Sequence, residues 1–121
     1  MLKILIAEDE EISLKHLKYA LEKEGYKVTG VGNGLEALNK MKGETFDILI
    51  ADIKMPVMDG LTLLAEAKEH YSDTEVMIVT GFGSIESAVN AMKQGASEYI
   101  TKPFDMEELM EKVRSYLGGG G

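Results

Sequence analysis

Five short apolar runs, each followed by a segment of helical spacing, succeed one another along nearly the whole chain. The runs are Lys3-Ile4-Leu5-Ile6-Ala7, Lys27-Val28-Thr29-Gly30-Val31, Phe46-Asp47-Ile48-Leu49-Ile50-Ala51, Glu75-Val76-Met77-Ile78-Val79 and Glu98-Tyr99-Ile100-Thr101. Three are near-continuously apolar, the pattern of parallel strands covered on both faces. Between them, Leu14, Leu17 and Leu21 share one helical face, as do Leu38 and Met41, and Leu61, Leu64 and Ala67. Ile85, Ala88, Val89 and Met92 form the i, i+3, i+4, i+7 stripe of an amphipathic helix, and Met106, Leu109, Met110, Val113 and Leu117 repeat it. Strands that alternate with helices pair in parallel, and their crossovers cover both faces of the sheet. The expected fold is a single doubly wound (βα)5 domain of class α/β.

The punctuation agrees with these boundaries. Gly25 and Gly95 stand just past helical segments, where a left-handed residue ends a helix. Asn33-Gly34 and Asp59-Gly60 read as turns directly before helices, and Asp105 with Glu108 reads as a capping pair. The domain is expected over residues 1–117. Gly118 to Gly121 cannot pack and read as a flexible tail, either an engineered end or the start of a linker.

Composition narrows the function. The chain has 121 residues, enough for one core without disulfides or structural metal. It has no cysteine, which excludes thiolate catalysis, iron–sulfur clusters and cysteine zinc sites. Its 13 basic against 21 acidic side chains make a net charge of −8, which argues against direct nucleic acid binding. No apolar run is long enough to span a membrane. Met1 leads straight into a strand with no signal-peptide pattern, so a cytoplasmic location is expected.

In an open parallel sheet, ligands bind beyond the carboxyl ends of the strands. Those ends carry Glu8 and Asp9, Asp52, Thr80, and Lys102. Each alone has a plain reading: an acidic helix start, a loop cap, a strand-end hydroxyl, a surface lysine. Together they make three carboxylates, one hydroxyl and one ammonium at one end of one sheet. Two carboxylates about 4 Å apart repel by about 4 kcal/mol at an effective dielectric near 20. Protons or a cation must neutralise that cost, and hard oxygen ligands in a hydrated pocket suit Mg²⁺. Asp52 can act as a nucleophile or a metal ligand. A metal ion with Lys102 can neutralise a transferring phosphoryl group, while Thr80 hydrogen-bonds one of its oxygens.

These residues fall in four ordered motifs: Ile6-Ala7-Glu8-Asp9-Glu10; Ile50-Ala51-Asp52-Ile53-Lys54-Met55-Pro56 with Met58-Asp59-Gly60; Val79-Thr80-Gly81; and Tyr99-Ile100-Thr101-Lys102-Pro103-Phe104. In this the chain resembles the receiver domains of two-component response regulators, the CheY-like family, over residues 2 to about 117. The stretch from Thr80 to Ala96 is similar to receivers that head NtrC-type transcriptional activators. The resemblance implies the strand order 2-1-3-4-5. It implies that Asp52 is the phosphoacceptor, forming an acyl phosphate with a phosphoryl group from a sensor histidine kinase. It implies that Glu8, Asp9, Asp52 and the backbone carbonyl of Lys54 hold Mg²⁺, with Glu8 acting partly through water. Many relatives have Asp where this chain has Glu8.

By the same resemblance Lys102 pairs with the phosphoryl group across a cis bond to Pro103. Thr80 is the switch hydroxyl, and Tyr99 is the aromatic that swings inward when Thr80 moves. The side chain of Lys54 tunes dephosphorylation. The implied outcome is a reshaped surface of the fourth helix, fifth strand and fifth helix, which controls an output domain or a downstream protein. A transcriptional activator in a longer chain and a phosphorylation-dependent homodimer are both compatible with it. Such a domain phosphorylates and dephosphorylates itself but is not a turnover enzyme.

Three other classes compete. A flavin-binding flavodoxin-like module needs a hydroxyl- and glycine-rich phosphate loop where this chain has Glu8-Asp9-Glu10-Glu11. An aspartyl-phosphate hydrolase needs a second Asp where this chain has Lys54. A phosphate-independent pseudo-receiver, acting only as an interaction module, does not need the acceptor-site residues that are all present here.

Overall fold

The computed structural model describes residues 2–117. The glycine tail read at 118–121 lies outside the described residues. Ten elements alternate without exception: β1 (Lys3–Ala7), α1 (Glu11–Lys23), β2 (Lys27–Val31), α2 (Gly34–Gly43), β3 (Ile48–Ala51), α3 (Gly60–His70), β4 (Glu75–Thr80), α4 (Ile85–Lys93), β5 (Glu98–Thr101) and α5 (Met106–Leu117). All strand pairs are parallel, and the sheet order is β2-β1-β3-β4-β5. This is the expected doubly wound α/β domain.

Two cores lie on opposite faces of the sheet, because successive strand residues point to opposite sides. Leu5, Leu49, Val76 and Ile78 face α2, α3 and α4, where they meet Ala37, Met41, Leu63, Leu64, Ala67 and Ala91. Ile4, Ile6, Ile48, Ile50, Met77 and Val79 face α1 and α5, where they meet Leu17, Leu21, Leu109, Met110 and Val113. Fully burying one such side chain contributes roughly 1.5–3 kcal/mol. Double coverage is why β1, β3 and β4 read as unbroken apolar runs.

Helix ends follow the sequence at most places. Asn33 accepts a hydrogen bond from the Glu36 amide at 2.9 Å, and Asp59 accepts one from the Thr62 amide at 2.8 Å. Gly25 and Gly95 have φ of 98° and 100°. A side chain on Gly60 would collide with the backbone of Asp52 and Ile53, so α3 starts hard against the strand end that carries Asp52. The Lys102-Pro103 bond is cis.

Three readings change. β3 begins at Ile48, two residues later than the apolar run that starts at Phe46, although Phe46 is buried in the core. Asp105 accepts a hydrogen bond from the Glu107 amide at 2.9 Å, and no return bond from Glu108 occurs among the described residues. The stripe of α4 faces outward: Ile85 is 87% exposed and Val89 and Met92 are about half exposed, while Ala91 alone is fully buried. α4 lies over the half-buried edge strand β5, where small Ala91 and Ala96 allow close approach, so the larger side chains point away from the core.

The β3–α3 loop holds Val57, at 70° the one non-glycine residue with positive φ among the described residues. The Met58 amide donates to the Pro56 carbonyl at 2.7 Å and closes a three-residue turn around it. A β-branched residue is strained there, and Val57 is largely exposed, so its side chain gives little burial in return. Val57→Asn should raise stability by about 1 kcal/mol, since a left-handed L-residue costs about 1–2 kcal/mol. The urea midpoint checks this, and an unchanged or lower midpoint would show that the turn is unstrained.

Candidate functional site

Strand register assembles the site. Ala7 of β1 lies opposite Ala51 of β3, so Glu8 and Asp52 leave the sheet side by side. The Asp52 amide donates to the Ala7 carbonyl at 3.1 Å, and the Glu8 amide donates to the Val31 carbonyl at 3.0 Å. Both residues are therefore pinned just beyond the ladder. On the other side of β3, Thr80 closes β4 opposite Thr101, and the Lys102 amide donates to the Thr80 carbonyl at 2.9 Å.

Four of the anticipated side chains converge. Glu8 is 3% exposed, Asp52 is 4% exposed, and Thr80 is fully buried. Lys102 Nζ donates to Glu8 Oε1 at 2.5 Å and to Asp52 Oδ2 at 3.0 Å. Asp52 Oδ1 accepts from the Thr80 hydroxyl at 2.6 Å and from the Lys54 amide at 3.3 Å. The two carboxylate oxygens of Asp52 are thus held by different partners. The plane and direction of the buried Asp52 carboxylate are thereby fixed.

Electrostatics follows from burial. Burial pushes the Glu8 carboxyl above the ordinary carboxylate range, and the Lys102 ammonium and Glu10 amide only partly oppose this. Burial pulls Lys102 down, but the hydrogen bonds and charges of Glu8 and Asp52 outweigh it and leave Lys102 above the ordinary lysine value. Lys102 therefore stays cationic between two carboxylates.

The remaining anticipated residues sit around this centre. Asp9 is exposed on the β1–α1 loop and lines, with Glu8, Glu11, Glu36 and Lys40, an open groove of about 730 Å³. Among the described residues, Glu8, Asp9 and Asp52 do not close to mutual ligand distance. The oxygen-only donor set of Glu8, Asp9, Asp52 and the Lys54 carbonyl nevertheless fits Mg²⁺. The ion needs hard ligands and keeps several waters, which an open, acidic groove supplies. The exposed group that does close, within 4.8 Å, is Glu66, Glu69 and His70 on α3. Tyr99 is half-buried, and its hydroxyl lies 2.7 Å from Ser87 Oγ.

Sequence reasoning missed Phe82 beside the site and the cap at the start of α4. Phe82 lies at the mouth of the site, with Lys54 Nζ 4.8 Å from the ring centroid, and its amide donates to Thr80 Oγ1 at 3.0 Å. Ser84 and Ser87 form a reciprocal capping box at the start of α4. The S-x-x-S spacing was the available signal, but the usual third residue of such a box is Glu or Gln. A side chain at Gly81 would make only ordinary contact with Lys102 Cβ at 3.7 Å, so no steric need for glycine arises on that side.

The response regulator receiver domain model matches residues 4–114. The chain belongs to the response regulator receiver family. The receiver protein CpdR of Brucella abortus is 35% identical over 117 residues, covering 97% of this chain and 98% of its own length. The transcriptional regulator NtrC of Escherichia coli is 39% identical over 106 residues, covering 87% of this chain but only 23% of its own length. The response regulator TrrA of Thermotoga maritima, solved in complex with Mg²⁺ and BeF, superposes with a TM-score of 0.87 at 34% identity, covering 96% of this chain and 99% of that one. The chain spans between about a quarter and about half of the length of several curated relatives it matches. Among the described residues no helix is long and apolar enough to cross a membrane.

The raised Glu8 carboxyl has a measurable sign. A carboxyl raised in the folded state stabilises the fold most below its unfolded value, and that contribution is lost as pH rises through the folded value. The stability of Glu8→Gln relative to the unsubstituted receiver should therefore increase as pH rises through the carboxylate range. Paired urea titrations across that range test it, and a difference that moves the other way would show that Lys102, not burial, governs Glu8.

Proposed function

We propose that this receiver accepts a phosphoryl group on Asp52 from a sensor histidine kinase and uses it to change the surface formed by α4, β5 and α5. The observation that carries this reading is the double restraint of a buried carboxylate, with Lys102 on one oxygen of Asp52 and Thr80 on the other. An oxygen of Asp52 attacks the phosphorus of a phosphohistidine. The P–N bond breaks, its electron pair leaves with the imidazole, and the imidazole takes up a proton. The product is an acyl phosphate on Asp52.

Each nearby group has a task in that step. Lys102 offsets negative charge on the transferring group. The Thr80 hydroxyl, already aimed at Asp52, donates to a phosphoryl oxygen. Mg²⁺ held by Glu8, Asp9, Asp52 and the Lys54 carbonyl would neutralise further charge on the phosphoryl oxygens when bound. Burial around Asp52 limits the approach of water and so favours transfer over hydrolysis. The domain acts as a self-limiting switch rather than as a turnover enzyme on a separate substrate.

Switching requires two states of one element. Thr80 accepts from the Phe82 amide, so a shift of the Thr80 hydroxyl toward phosphate draws the β4–α4 loop with it. The outward stripe of Ile85, Val89 and Met92 gives α4 an apolar surface for an output domain, a downstream protein or a second copy in a homodimer. NtrC-type output fits a chain that matches NtrC over a receiver's length. Moving the switch from 1:99 to 99:1 takes about 5.5 kcal/mol of differential stabilisation.

Incubation with a small acyl-phosphate donor, followed by intact mass, tests the reading. The protein should gain one phosphoryl group, only with Mg²⁺, and Asp52→Asn should gain none while still unfolding in a single cooperative transition. Equal phosphorylation of Asp52→Asn would refute the acceptor. No gain under any condition would favour a pseudo-receiver.

A further inference from the structure

Ser87 makes one contact, to Tyr99, that neither helix capping nor phosphoryl transfer accounts for. Its hydroxyl accepts from the Ser84 amide at 2.9 Å, donates to the Ser84 carbonyl at 3.1 Å, and lies 2.7 Å from the Tyr99 hydroxyl. A serine hydroxyl has one proton and two lone pairs. With one lone pair on the Ser84 amide, the Ser87 hydroxyl turns its single proton to the Ser84 carbonyl or to Tyr99, and either hydroxyl can donate in the Ser87–Tyr99 bond.

The ring of Tyr99 is held from below as well. A side chain on Gly83 would collide with the Tyr99 hydroxyl and press on the ring, so any residue but glycine at position 83 must displace Tyr99 from its present seat. Gly83 has no positive φ, so no backbone reason for glycine applies there. The β4–α4 loop is thus tied at both ends. At one end, Thr80 Oγ1 links Asp52 to the Phe82 amide. At the other, Ser87 links the first turn of α4 to β5 through Tyr99.

We propose that Ser87 is a positioning residue that fixes Tyr99 and so couples the acceptor site to α4. This rests on the receiver reading given above. Ser87 and Gly83 form the far anchor of a loop whose near anchor is Thr80. While Thr80 faces Asp52, the far anchor keeps Tyr99 seated against α4. Removing the anchor frees Tyr99 without touching any group that meets the phosphoryl donor.

The test uses protein labelled with 3-fluorotyrosine, with the Tyr99 signal assigned by its loss in Tyr99→Phe. The variants are Ser87→Ala, Ser87→Thr, Gly83→Ala and Ser84→Ala, and each is also assayed for Mg²⁺-dependent phosphorylation by intact mass. Ser87→Ala and Gly83→Ala should both shift the Tyr99 fluorine signal toward that of an exposed tyrosine, and Ser87→Thr should restore it. Ser84→Ala, which removes a cap but leaves the Ser87 hydroxyl beside Tyr99, should speed amide exchange in the first turn of α4 roughly fivefold, the size of one lost cap, with the Tyr99 signal in place. All four should take up phosphate to the level of the unsubstituted receiver. A Tyr99 signal unmoved in Ser87→Ala and Gly83→Ala would overturn the proposal. So would a shift in Ser84→Ala as large as that in Ser87→Ala, since Ser87 would then act only as a cap. Failure of the unsubstituted protein to take up phosphate would instead sink the receiver reading, because the fluorine comparison needs no phosphate.

Discussion

One ammonium bridges two buried carboxylates, and the site is built around that contact. Parallel register delivers Glu8 and Asp52 from the adjacent ends of β1 and β3, and Lys102 reaches both from the end of β5, past β4. Without Lys102, two carboxylates would face each other out of water, which is among the costlier arrangements a small domain can hold. With it, the pair keeps a net negative charge and an outer carboxylate, Asp9, beside an open groove. On the reading proposed above, a divalent cation and Lys102 would share the charge of an anion there.

The fold explains why such a site is rigid. Residues 4–6, 48–50 and 76–79 are buried on both faces, so the strand ends cannot drift without disturbing two cores. The helices differ in how firmly they are held. α1 and α5 bury leucine, methionine and valine against one face, whereas α4 fully buries only Ala91. An element held by so little apolar contact opens at low free energy. On the switch reading proposed above α4 is therefore the part that moves, and Thr80, Ser87 and Tyr99 are the polar groups that attach it to the site.

Most of this was legible in the residue order, and the exceptions have physical causes. Apolar runs revealed the strands because double coverage leaves no polar alternation. Glu8, Asp52, Thr80 and Lys102 were readable because a parallel sheet gathers its strand ends. The outward face of α4 was not readable: periodicity reports that a stripe exists, not whether a neighbour covers it. The Ser87–Tyr99 bond joins residues 12 apart on different elements, and both residue types are common in unrelated roles. The strain at Val57 was hidden because nothing in a valine announces a positive φ. The pairing of Asp105 with Glu108 failed because Asp105 bonds to the Glu107 amide, and the spacing alone does not say which amide wins.

Borohydride reduction of the phosphorylated protein, followed by peptide mapping, tests the acceptor assignment most directly. Hydride cleaves an acyl phosphate and turns the aspartyl side chain into that of homoserine, which marks the residue by mass. The account predicts that mark at position 52 and nowhere else. Homoserine at Asp9 or Asp59, or a reduced side chain at Glu8, would mean that Asp52 is not the nucleophile.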